Sequence, residues 1–138
     1  MKSFTFCYDD GGRSASTRPR QKADCVVKSH AIALRIPYDQ AYDFMAGCGR
    51  ESGHGFNHTR WESRLEKFLS RMPQENITAI GFIAKYTTGN YIVEVHKHAF
   101  AVIDGALHDE FFDYANHLVR QAWRVIAFPV LRVEPNFD

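Results

Sequence analysis

Apolar positions along the chain cluster in short blocks separated by glycine-rich or proline-marked breaks. Behind Asp24, the residues Val26, Val27, His30, Ala31, Ala33 and Leu34 crowd into about three turns. That density predicts a helix buried on most sides and stopped before Pro37, with Asp24 placed to cap its free N–H groups. A second short helix fits Asp39 to Ala46, with Gly47 as its end. A third is expected from Thr59 to Met72: Thr59 and Glu62 have capping-box spacing, Trp61, Leu65, Phe68, Leu69 and Met72 form one stripe, and Pro73 follows.

Beyond Pro73 the period changes. ITAIGFIA (Ile77 to Ala84) and YIVEVH (Tyr91 to His96) read as strands, with a turn at Gly89-Asn90 between them. HAFAVIDGALHDEFF (His98 to Phe112) has apolar runs on both sides of Asp104-Gly105, a strong hairpin signal. WRVIAFPVLRVEP supplies one or two more strands, with Pro129 implying an edge or a break. Helices first and antiparallel strands later predict an α+β domain, with N-terminal helices packed on a C-terminal antiparallel sheet. The 138 residues suit one domain, residues 1–138, in which the polar Gly/Ser/Arg-rich stretch 9–22 is an exposed loop.

Composition narrows the function classes. Hydrophobic residues make up 45% and aromatics 14%, enough for a packed core without staples. The net charge of +1 gives no basic sheath for nucleic acid, and the Arg/Lys residues between Arg13 and Lys22 have no interleaved aromatics for base stacking. No apolar run approaches the roughly 18 residues of a membrane span, and MKSFTFCYDD lacks a signal-peptide core. A cytoplasmic setting is expected, in which Cys7, Cys25 and Cys48 stay reduced. Cys7, among Phe4, Phe6 and Tyr8, reads as a packing residue, and His30 as a core histidine with a backbone partner.

Cys25 stands at the start of the first helix. Unpaired backbone N–H groups and the helix dipole there favour thiolate over thiol, and a thiolate with a base in reach is a nucleophile. The competing reading is a small core side chain. The hairpin weighs against that reading. If Asp104-Gly105 forms a two-residue turn, Val102 faces Leu107, Phe100 faces Asp109 and His98 faces Phe111. His98 and Asp109 then project from one face as diagonal neighbours about 7–8 Å apart between backbones, a gap their side chains close. An aspartate so placed fixes the imidazole tautomer while the other ring nitrogen meets the thiol. His108 points the other way. His96 is the reserve base and Asp113 the reserve orienting acid.

A helix opened by Asp-Cys, followed by His-Ala-Phe-Ala-Val-Ile-Asp-Gly and then His-Asp, resembles the papain-like cysteine peptidases. The likeness is to small bacterial and phage members and, more distantly, to bacteriocin-processing peptidases; it spans Gln21 to Asp113. The resemblance implies a papain-like fold with Cys25 as nucleophile, His98 as base and Asp109 as orienting acid. Relatives place an oxyanion-hole glutamine about six residues before the cysteine; here Gln21 is four before it, so it is either that donor or a solvated loop residue. The segment before the sheet often borders the substrate groove in that superfamily, which nominates Gly53, His54 and Asn57 for substrate contact.

The expected function is a thiol hydrolase, a cysteine peptidase opening an amide through a thioester, with a peptide or protein as partner and no cofactor. The alternative is an inactive papain-like binding module, such as a phage protein that occupies a host factor. Cys48, His54 and His58 are close in sequence, but their spacing fits no standard zinc pair and no fourth ligand is evident, so no metal is expected.

Overall fold

A computed structural model describes residues 3–19 and 22–131. Six strands, β1 (Thr5–Tyr8), β2 (Leu69–Arg71), β3 (Asn90–Val95), β4 (His98–Ile103), β5 (Ala106–Asp109) and β6 (Gln121–Val125), form one sheet in the order β1-β5-β4-β3-β6-β2. Helices α1 (Cys25–Leu34), α2 (Tyr38–Gly47) and α3 (Ala79–Lys85) complete a mixed α/β architecture consistent with the α+β expectation. All neighbouring strands are antiparallel except β1, which adds parallel to β5 at the edge.

The sheet is buried on both sides because its strands alternate. Ile92, Ala101 and Trp123 face a core with Val26, Val27, Ala31, Leu34 and Met45 of α1 and α2. Val93, Val95, Phe100, Val102 and Leu107 face a second core with Phe82 and Ile83 of α3. Asp104 (φ 45°) and Gly105 (φ 77°) make the two-residue turn, which requires left-handed backbone at both positions. It sets the register Ile103–Ala106, Val102–Leu107 and Ala101–His108.

Two elements differ from the sequence expectation. The expected third helix breaks into single 3-10 turns, His58–Arg60 and Glu62–Leu65, followed by β2, which pairs with β6. Asn57, not Thr59, caps the first turn, its Oδ1 accepting from the Thr59 N–H at 3.0 Å. Glu62 does not reach back to Thr59; its carboxylate accepts from Trp123 Nε1 at 2.7 Å and pairs with Arg71 at 2.8 Å. Most of the expected strand Ile77–Ala84 is helical instead, in α3, which is capped by Thr78 Oγ1 accepting from the Gly81 N–H at 3.2 Å. Its buried Ala79, Phe82 and Ile83 have helical spacing that the Ile- and Phe-rich composition masked. The Asp24 side chain makes no capping bond to α1 either; its carbonyl accepts from the Lys28 N–H at 3.0 Å. Cys7 is exposed on β1 rather than packed. Of the closing segment, β6 is a strand, and the part from 132 onward lies outside the described residues.

Candidate active site

Cys25 is the first residue of α1, so its backbone N–H has no partner inside the helix. The turn in front of it is held from several sides. Ala23 adopts a left-handed φ of 56°, and its carbonyl accepts from Arg50 at 3.3 Å. The buried Asp24 carboxylate accepts from the Tyr38 hydroxyl at 2.8 Å and lies 3.2 Å from Lys28 Nζ and 3.4 Å from Arg13 Nε. The Asp24 side chain therefore anchors the turn before Cys25 to the N-terminal loop, α1 and α2 rather than capping α1.

His98 is the first residue of β4 and lies in the wall of a cleft together with Cys25. Its Nε2 lies 2.6 Å from Asp109 Oδ2, and both side chains are almost wholly buried. That leaves Nδ1 for the Cys25 thiol. Burial opposes a charge on His98, but hydrogen bonding to Asp109 and Cys25, and the charges of both, outweigh it and raise the imidazole to about 9. Asp109 is itself fixed, its Oδ1 accepting from the Glu110 N–H at 2.8 Å. The Tyr114 ring, from a 3-10 turn at Asp113–Asn116, stacks on His98 with centroids 3.9 Å apart.

Beside these groups is a cleft of about 330 Å³ lined by Val26, Phe56, Trp61, Ile92, Val95 and Ala99, with Cys25 and His98 in its wall. Glu94 also lines it; burial raises its carboxyl above the ordinary value, against the pull of His58 at 3.5 Å. Arg120 and Lys97 complete its polar rim. A larger groove of about 480 Å³ lies elsewhere, among Gly11, Ile36, Ile103 and Leu131, and contains neither Cys25 nor His98.

Thus Cys25, His98 and Asp109 come together. His96 is exposed, Asp113 is exposed in its 3-10 turn, and His108 faces Asp9 at 3.2 Å, so neither reserve replaces the pair at His98. Of the nominated groove residues, Asn57 lines the cleft and Gly53 and His54 do not; His54 is 70% exposed beside Glu51. Gly55 and Phe56 take their place. Gln21 lies outside the described residues. The three residues weighed for a metal are apart in role: Cys48 is buried against Arg64, His58 meets Glu94 and His54 faces solvent. Among the described residues no cluster of three metal-ligating side chains occurs, and no helix is long and apolar enough to cross a membrane.

His30 is buried with Nδ1 2.7 Å from the Val26 carbonyl, as a core histidine with a backbone partner. Sequence reasoning missed Tyr114. A Tyr five residues beyond Asp109 carries no pattern of its own, and only the fold lays it on the imidazole. Searches against protein-family models, curated proteins and solved structures return no match to this chain.

Proposed function

We propose that the protein is a thiol hydrolase of papain-like type that opens an amide bond in a peptide or protein. The observation that carries this reading is His98, held by Asp109 through one ring nitrogen and coupled to Cys25, on the wall of an open cleft. The sulfur attacks the substrate carbonyl carbon and forms a C–S bond. The C–N bond breaks, and the His98 imidazolium gives its proton to the departing amine. Water then attacks the thioester; His98 takes a proton from it, the C–S bond breaks, and acid and thiol are restored. The Cys25 N–H at the helix tip is the first donor to the developing oxyanion.

Asp109 keeps the imidazole in the productive orientation, and Tyr114 bars it from turning. The apolar wall from Val26 to Ala99 accommodates a side chain next to the scissile bond, with Glu94 and Asn57 as its polar contacts.

Alkylation by iodoacetamide, followed across pH for Cys25 with Cys7 and Cys48 replaced by Ser and Ala, tests the reading. A thiol reactive well below pH 8.5, with that reactivity lost in His98→Ala, is expected. A profile like that of free cysteine and indifferent to His98→Ala identifies a binding module that keeps the cleft without turnover.

A further inference from the structure

A closed circuit of contacts joins the nucleophile to the orienting acid by a second route. Asp24, next to Cys25, lies 3.2 Å from Lys28 Nζ; Lys28 also donates to the Glu110 carboxylate; the Glu110 N–H donates to Asp109 at 2.8 Å; Asp109 holds His98, and His98 meets Cys25. Lys28 is the single side chain in this circuit that spans from α1 to the end of β5. We propose that Lys28 is a positioning residue, a clamp that fixes the helix carrying Cys25 against the strand end carrying Asp109. This inference rests on the reading of Cys25, His98 and Asp109 as the catalytic set.

Three observations support a geometric role. Lys28 is 11% exposed and Glu110 10%, unusual burial for a pair of long charged side chains on the rim of a small protein. Burial works against the Lys28 charge, yet the hydrogen bond to Glu110 and the nearby Asp24 more than offset it, so the ammonium is held charged. Buried ion pairs add little net stability compared with apolar side chains, but they do impose a geometry. The N-terminal loop closes on the same spot: a Cβ on Gly11 would lie 2.9 Å from the Lys28 Cα, and Gly11 has a left-handed φ of 69°. Lys28 is thus gripped by backbone at one end and by two carboxylates at the other.

The distances decide why such a clamp matters. Apolar packing of α1 on the sheet holds the layers together, and the Lys28–Glu110 pair adds a direct ionic link from α1 to the residue that follows Asp109. A displacement of about 1 Å between reacting groups costs on the order of a hundredfold in rate. Lys28→Met keeps the stem and removes the ammonium; Asp24 keeps Arg13 and Tyr38. Glu110→Gln weakens the same link from the other side.

The test follows each variant by circular dichroism, by NMR titration of the His98 imidazole, and by nitrophenolate release from p-nitrophenyl acetate, in which Cys25 displaces nitrophenolate and becomes an acetyl thioester. Alkylation by iodoacetamide at pH 10, where any thiol is ionised, controls for access. Folded Lys28→Met and Glu110→Gln are expected to acylate about 10- to 100-fold more slowly. Their His98 titration moves down toward the ordinary value, their alkylation at pH 10 is unchanged, and Lys28→Arg recovers most of the rate. Folded variants that acylate and titrate as the wild type overturn the clamp, and Glu110→Gln decides the matter if Lys28→Met does not fold. A wild-type His98 that titrates ordinarily, with no acylation, instead defeats the catalytic set and the clamp with it.

Discussion

The phenol ring of Tyr114 lies flat on the imidazole of His98, with centroids 3.9 Å apart and planes 17° from parallel. An aromatic face against an imidazolium favours the charged form and restricts ring rotation at once. Tyr114→Phe keeps the face and is expected to leave the His98 titration unchanged. Tyr114→Ala removes about 0.5–2 kcal/mol of that interaction, which lowers the His98 pKa and slows acylation by about tenfold. NMR titration of the imidazole distinguishes the two variants; equal behaviour of Phe and Ala would show the stack to be incidental.

His98, raised to about 9, links stability to pH with a definite sign. Below its ordinary value of 6.5 the imidazole is protonated in folded and unfolded chains alike, and its contacts with Asp109 and Cys25 contribute in full. Between about 6.5 and about 9 only the folded chain retains the proton, so stability falls as pH rises; above about 9 the contribution is gone. Urea midpoints measured across this range are expected to decline in the wild type and to flatten in His98→Gln. Acylation of an amide, which needs the imidazolium as acid, is expected to fall off only near pH 9, where the folded chain gives up that proton.

Asp109→Asn preserves volume but removes the charge and offers an amide to Nε2. The expected outcome is a loss of amide hydrolysis by a hundredfold or more, with His98 titrating lower because its main anionic partner is gone. Asp113→Asn, on an exposed side chain, is expected to leave activity within about twofold, as is usual for surface substitutions. Equal losses in the two variants would mean that the 2.6 Å contact is not what orients the ring.

The His98–Asp109 contact was legible because a single local signal fixed it. Asp104-Gly105 determines the hairpin register, and period-2 alternation then puts His98 and Asp109 on one face. The break-up of 59–72 was not legible: Trp61 and Leu65 are buried as a helix would bury them, but Leu69–Arg71 is recruited by the open edge of β6, a partner more than 50 residues away in sequence. Helix α3 carried its own signal, the Thr78 cap and the 79-82-83 spacing, against the strand propensity of its Ile and Phe residues. Lys28 and Glu110 are ordinary charged residues on paper. Their pairing depends on how α1 crosses the sheet, which no local pattern states.

His30 ties the fold to acid conditions. Burial holds it down to about 4, while the hydrogen bond to the Val26 carbonyl pulls weakly the other way. Among the described residues Nε2 has no hydrogen-bond partner, and the ring meets Trp61 edge to face with centroids 4.3 Å apart. Above 6.5 the ring is neutral in both states and costs nothing; as pH falls from 6.5 to about 4 the unfolded chain gains a proton that the folded chain resists. A gap of that size corresponds to about 3 kcal/mol of lost stability by pH 4. His30→Phe keeps the edge contact with Trp61 and cannot titrate. The variant is expected to stay within about 1 kcal/mol of the wild type at pH 7, as volume-conserving apolar replacements do, and to lose less on acidification. Urea midpoints at pH 7 and pH 4.5 measure the difference; parallel losses in the two proteins would place the acid sensitivity in the carboxylates around Lys28 and Arg13 instead.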